Sequence, residues 1–468
     1  MNAVQLILPL ALAAYFVFMG ARNRIFLLGI PFLMLMRSSV FFENARIFWV
    51  PGRFSPDTLV LVWLFIVWAV CLDLVIRPRR RDGRRRLFGP ALSLPEEGLL
   101  LAAAAYAALQ VALTTVRYGD AGAALGEAQG FAYLFIGYFL IRGIAGTASL
   151  AELLAFVRVL VIINTGAALL FVLHQGLGIG IYAGGEYYTT SFMGVTITRT
   201  FYFMPQLLGL SIAYIFARRQ WNAWWVVAAV LNLAAVWFSY TRSLLLIAVV
   251  IIAVTLLARA FKRSQARLVV RRTVAIVAVL GVLAFGFTRF LPVQSEYFVG
   301  RLAEATGATS VSDVANVENR ERKLQVTYAG IAKSDAALGA GFASAAQDPF
   351  ANRVDEMKSD IVWVPILYRL GLVGVALWVA LFAAYAWRAA RLAASHTKDV
   401  ELFGIVLLGV VVGLFLQGFV SWTLMQPGRF AMALWAFAFI GAVAGAVRAH
   451  PGRRGDGAAP DDGEAVAS

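Results

Sequence analysis

Seven arginines stand out, five beside or inside strongly apolar sequence and two in a polar loop segment. Arg199 lies in TITRTFYFMPQ, Arg242 in FSYTRSLLL and Arg289 in GFTRFLP. Arg320 and Arg322 lie in VENRERKLQ, Arg369 in ILYRLGLVG and Arg429 in MQPGRF. A guanidinium is planar, permanently charged and forked, which matches it to the paired oxygens of a phosphate. In or near hydrocarbon it is costly and needs a partner. Several such groups around one cavity would suit a lipid diphosphate. Each could instead snorkel to headgroups or pair with a carboxylate. His174 could act as a base or sit in a polar interface at a helix end. The aromatic stretch from Tyr182 to Tyr188 could stack on sugar rings or form an interfacial belt.

Other chemistries lack their residues. No GxxxxGK[ST] loop is present, which argues against an ATP-driven pump. No HExxH occurs, and three scattered histidines make a poor zinc site. No acidic pair of the DxD kind stands near a helix end, so a metal-bound sugar-phosphate donor is not expected. The single cysteine, Cys71, allows no disulfide within the chain.

The elements that would position these arginines are membrane helices. Of 468 residues, 61% are hydrophobic and 14% charged, where soluble domains average about half and about a quarter. The apolar residues fall in runs of about twenty, the length of a helix crossing about 30 Å of hydrocarbon. Uninterrupted runs without alternation select helices over a barrel. Thirteen spans are expected: 4–20, 24–36, 57–76, 97–116, 127–141, 152–173, 201–217, 221–239, 243–260, 273–291, 361–386, 400–421 and 428–447. Twelve or fourteen would also fit. The second is short enough to be re-entrant or tilted. The first run, Val4–Phe18, has no basic residue before it and is read as a retained helix.

Orientation follows from the basic residues. The net charge of +15 suggests nucleic acid only until its distribution is seen. Segment 77–88 holds seven arginines and segment 259–272 six basic residues. Arg142, Arg218, Arg219, Arg388, Arg391 and Lys398 fall on the same side of the count. Short basic loops stay cytoplasmic, which accounts for the charge without nucleic acid. The organisation expected is helices over 1–291, a large periplasmic loop over 292–360, helices over 361–447 and a disordered cytoplasmic tail over 448–468. That loop, between the tenth and eleventh spans, carries ten acidic and seven basic residues. Loops of this length usually have a purpose.

Four segments resemble the O-antigen ligase and O-antigen polymerase superfamily of bacterial membrane glycosyltransferases. Arg199 followed by Pro205 and Gln206 is similar to the family's Arg–Pro–Asn pattern opening a helix. Ser239 to Leu246, SYTRSLLL, is similar to its S-x-S-R-x-x-L segment. Arg320 or Arg322 followed by AALGAGFAS resembles its Arg…P-L-x-G-x-G element, with Gly339 and Gly341 as the glycines. SDIVWVPILYRLGLVG resembles the ligase His-Asn, nine residues, Gly-x-x-Gly. Gly371 and Gly374 match, and Asp360 stands where the histidine belongs.

The resemblance implies an all-α polytopic membrane protein, a GT-C-type bundle of 12–13 helices, acting as an inverting, metal-independent glycosyltransferase without a cofactor. Its donor would be a glycan on undecaprenyl diphosphate, its acceptor a glycan or lipid-linked sugar, and its site would face the periplasm from the bacterial inner membrane. Arg199, Arg242, Arg289 and Arg320 or Arg322 would hold the diphosphate, with His174, Arg369 and Arg429 secondary. Losing the ligase histidine favours a polymerase of O-antigen, capsule or exopolysaccharide over a ligase serving lipid A–core. Other polysaccharide-assembly proteins would be partners, and nucleic acid would not. Asp360 could be a general base or merely cap span eleven. The rival from another class, a flippase for the same lipid-linked glycan, should show charges along a central cavity and often inverted repeats, and no repeat is seen here.

Overall fold

The computed structural model describes residues 3–31, 61–69, 94–177, 186–200, 205–260, 266–305, 325, 328–332, 335–344, 346–348, 350–351, 363–419, 436–445 and 447. Its helices are α1 (Ala3–Arg22), α2 (Pro95–Tyr118), α3 (Ala121–Ala145), α4 (Leu150–Leu177), α5 (Pro205–Ala217) and α6 (Ala223–Phe238). They continue with α7 (Arg242–Ala260), α8 (Ala266–Phe290), α9 (Pro292–Ala305), α10 (Trp363–Ala393) and α11 (Lys398–Gln417). A further apolar helix, α12, covers Ala436–Gly445. Among the described residues, six helices are long and apolar enough to cross a membrane and five shorter ones are apolar. The chain is a multi-pass helical membrane protein. Exposed Val274, Val277 and Phe285 on α8 are what a lipid-facing surface requires.

Local sequence sets the helix ends. Pro95 opens α2 at its first position, and the Glu97 carboxylate accepts from the Leu94 N–H at 3.1 Å. Gly119 closes α2 in the left-handed conformation (φ 72°), and Asp120 then caps α3 by accepting from the Ala123 N–H at 2.9 Å. Two residues therefore suffice to turn the chain. Ser149 and Glu152 form a reciprocal cap before α4. Asn222 caps α6. The expected span 24–36 begins as a tight 3-10 turn, Arg24–Leu28, with Ile25, Phe26 and Leu28 buried.

Helix α11 lies at the centre, packed against α10, α7 and α5, while α10 also packs on α2. One end of the bundle gathers the basic residues. There Arg142 pairs with Glu97 at 3.0 Å, Arg388 with Glu96 at 2.8 Å, and Glu401 with both Arg219 (2.7 Å) and Arg259 (3.0 Å). Arginines read from the sequence as topology signals are thus also ion-pair partners of buried carboxylates.

Two features of the opposite end depart from the expected helices and loops. An antiparallel hairpin, β1 (Glu186–Phe192) and β2 (Val195–Thr200), follows α4. It turns at Met193 and Gly194, both at positive φ (50° and 76°), the geometry of a two-residue hairpin turn. The segment expected as a loop from residue 292 starts as helix α9, directly after α8. Neither changes the helical class of the protein.

Candidate functional site

Residues 335–344 and the first third of α10 interlock at the end opposite the basic one. The Asp335 carboxylate accepts from the N–H groups of Ala337 and Leu338 (2.9 and 3.1 Å) and curls the chain. Gly339 and Gly341 continue it at φ 83° and 80°. Helix α10 breaks at Gly371 (φ 62°, ψ −168°). A break frees backbone groups, and none can be left unpaired in hydrocarbon. Here the curled segment takes them. Ala340 and Gly341 N–H donate to the carbonyls of Tyr368 (2.7 Å) and Arg369 (3.0 Å). In return, Leu372 and Val373 N–H donate to the carbonyls of Ala336 (3.0 Å) and Ala337 (3.2 Å).

The contact tolerates only glycine. A Cβ on Gly339 would lie 2.5 Å from the Gly371 nitrogen, and one on Gly371 would lie 2.3 Å from the Ala337 oxygen. Positive φ at both positions adds a penalty for any side chain. Two motifs picked out separately in the sequence, Gly339/Gly341 and Gly371/Gly374, therefore form one structure.

Helix α2 supports it. The Tyr106 hydroxyl lies within hydrogen-bond distance of the carbonyls of Leu338 (3.1 Å) and Leu370 (3.0 Å). Gln110 Nε2 donates to the Leu338 carbonyl at 2.8 Å, and Thr114 Oγ1 accepts from Phe342 N–H at 2.9 Å. Arg369 is 3% exposed. Its guanidinium donates to Glu127 at 2.6 Å and stands 5.8 Å from the Phe342 ring. Of the fates foreseen for Arg369 (phosphate contact, snorkelling to headgroups or pairing with a carboxylate), the structure shows a carboxylate pair. Tyr368 hydrogen-bonds Asp348 nearby.

A second cluster at this end is aromatic. Ile197 from β2, Tyr240, Phe287 from α8, and Tyr297 and Phe298 from α9 are buried together. Trp237 packs on Phe298 with ring centres 4.7 Å apart, and Phe192 on Tyr297 at 5.5 Å. Tyr240 sits in the turn between α6 and α7 at φ 49°, with Ser239 and Thr241 hydrogen-bonded to each other on either side of it. A buried non-glycine residue at positive φ is strained, and such strain persists only where the surroundings enforce it.

This cluster brings three expected arginine positions into one neighbourhood. Ile197, Tyr240 and Phe287 each lie two residues from an arginine: Arg199, Arg242 and Arg289 respectively. Arg199 is a β2 residue opposite Tyr188. Arg242 is the first residue of α7. Arg289 lies in the last turn of α8, its side chain exposed. His174 lies in the last turn of α4, half-buried. Asp360, Arg320, Arg322 and Arg429 lie outside the described residues. Cationic side chains carried at such a site can stabilise an anionic leaving group. Among the described residues, no group of three or more His, Cys, Asp or Glu side chains could hold a metal ion.

No protein-family model matches this chain, and no curated protein sequence matches it. Among solved structures it is similar to a chain described in a study of the structural coordination of polymerization and crosslinking by a peptidoglycan synthase complex. The identity is 16%, the TM-score 0.40, and the match covers 73% of this chain and 96% of that one. A likeness at this level carries no functional argument.

Sequence reasoning missed several of these features. The hairpin's signal was the Met193–Gly194 pair between short alternating runs. The signal for α9 was Pro292 at a helix start followed by Val293, Tyr297 and Phe298 at helical spacing. Nothing in the sequence pointed to Tyr106, Gln110, Thr114 or Glu127, whose partners lie more than two hundred residues away.

Proposed function

We propose that this protein polymerises lipid-linked polysaccharide repeat units, moving a glycan from undecaprenyl diphosphate to an acceptor sugar hydroxyl at the periplasmic face of a bacterial inner membrane. The observation that carries this reading is the convergence of the segments bearing Arg199, Arg242 and Arg289 on one buried aromatic cluster. A rigid anchor beneath each segment is what a diphosphate clamp needs, because donors aimed in advance at developing charge do not reorganise during reaction. The interlocked glycines support it as a fixed floor beside the same end.

The acceptor oxygen attacks C1 of the donor sugar from the face opposite the diphosphate. The new C1–O bond forms as the old one breaks, inverting the centre. The leaving diphosphate takes the bonding pair, and the arginines, with Arg320 or Arg322, stabilise its charge. The acceptor proton passes to Asp360. The diphosphate ester is already activated, so the step draws on no nucleotide.

The test is the polysaccharide of a deletion strain complemented with variants. Loss of a polymerase leaves single repeats on the final acceptor or the carrier. Arg199→Ala and Arg242→Ala should cut chain extension about 10²–10³-fold at normal membrane levels, the usual cost of one lost charge-stabilising donor. Asp360→Asn should lower it about 10²-fold or more, while a mere helix cap would survive that change. Long chains stranded on the carrier would instead identify a ligase. Single repeats stranded on the inner leaflet would identify a flippase.

A further inference from the structure

A cavity of about 880 Å³ opens at the basic end, where α4, α5, α7 and α11 meet the residues around Met19 and Phe26. Five cations line it: Arg158, Arg218, Arg219, Arg259 and Lys398. Two carboxylates answer them. Asp399 lies in the wall, and Glu401 is shared by Arg219 and Arg259. Three positive charges are left over. Arg158 and Lys398 form no ion pair among the described residues. Arg218 is aimed by stacking 4.5 Å from the Trp225 ring and by donating to the Tyr214 hydroxyl at 3.1 Å. Its buried Nε has no hydrogen-bond partner among the described residues.

Topology alone does not account for this arrangement. Orientation needs basic residues in loops, yet Arg158 lies about two turns inside α4, where an unpaired cation is costly. Apart from Gln220 and the Tyr214 hydroxyl, the rest of the wall is apolar. Leu154, Val159 and Ile162 run along α4, and Leu402 faces them from α11. The eight steps from Leu154 to Ile162 span about 12 Å of helix, with Arg158 at their midpoint. The cavity thus sets Arg158 among apolar side chains of α4, so that cations and a surface for hydrocarbon lie side by side. We infer that this cavity binds an anionic lipid, its phosphate held by Arg158, Arg218 and Lys398 and its chains lying along α4. Phosphate is the chemistry the cations read, and the apolar track makes a lipid the source rather than the free ion. The inference does not rest on the glycosyltransfer reading.

The probe is phosphatidylglycerol, titrated onto the full-length protein in detergent and counted by native mass spectrometry beside phosphatidylcholine. Phosphatidylglycerol should bind more tightly. The double variant Arg158→Gln/Lys398→Gln should weaken it by about fivefold for each cation removed. Both residues are exposed, so folding is not at stake. Arg267→Gln/Arg271→Gln, which removes two exposed cations of α8 outside the cavity, should leave binding unchanged. Equal retention of the two lipids would overturn the proposal, as would an equal loss in the α8 variant. Displacement of phosphatidylglycerol by millimolar inorganic phosphate would show that the site reads the free anion and overturn the lipid assignment.

Discussion

The two ends of the bundle solve the same problem by different means. At the basic end, charge is held by charge: Glu96, Glu97 and Glu401 are buried, and each carries at least one arginine. At the opposite end, backbone is held by backbone, with neutral side chains of α2 completing the bonds. One ion pair, Glu127–Arg369, belongs to that end among the described residues. Arg289 forms none there. The difference teaches that the second end draws its rigidity mainly from backbone and neutral side chains, with Arg369 committed to a carboxylate and Arg289 left exposed.

The comparison can be broken most sharply at the glycines. Gly371→Val or Gly339→Val should cost about 3 kcal/mol or more, from strain at positive φ and overlap with backbone. Thermal unfolding in detergent, followed by helical circular dichroism, would read it. Gly281, with nothing within 4 Å of a new Cβ, should accept alanine without loss. Equal tolerance at all three positions would remove the interlock from the account.

Next comes Glu401→Ala at the basic end. It removes the buried carboxylate paired with Arg259, 2% exposed, and should cost about 3–5 kcal/mol. Arg219→Gln should cost less than about 1 kcal/mol, because that side chain is 43% exposed. A smaller loss for Glu401→Ala than for Arg219→Gln would mean the buried pair is not what holds this end. Tyr106→Phe should cost about 1 kcal/mol, since Gln110 still serves the Leu338 carbonyl. The smallest stability effect is expected at Arg289→Gln, below about 0.5 kcal/mol at an exposed position. If Arg289 belongs to the clamp, chain extension should fall while the melting temperature holds. A drop in both would assign it a structural part.

Apolar run length carried most of the fold. The expected spans 97–116, 152–173 and 243–260 lie inside α2, α4 and α7, because hydrocarbon thickness imposes its length on the sequence directly. The break in α10 was not legible, since Gly371 inside an apolar run reads as ordinary helix. Its partner segment lies some thirty residues earlier and its α2 supports far earlier still. Pairing of that kind is a tertiary fact with no local period. The same holds for Glu401, which reads as a helix-start acid but sits between two arginines. At the candidate site, the types and spacing of Arg199, Arg242 and Arg289 were visible, whereas the aromatic residues that gather their segments were scattered over four elements.

The interlock also sets an order of events during synthesis. Gln110 and Thr114 on α2 wait for Leu338 and Phe342, 228 residues downstream, and Tyr106 waits for Leu370, 264 residues downstream. At about 5–20 residues per second, that is an interval on the order of 10 to 50 seconds. Throughout it, α2 is already in the membrane with a polar stripe that has no permanent neighbour. Assembly of this end is therefore a late event, completed when Gly339 and Gly371 meet. A nascent chain cut short before residue 335 would carry that open stripe on α2 as the mark of an unfinished molecule.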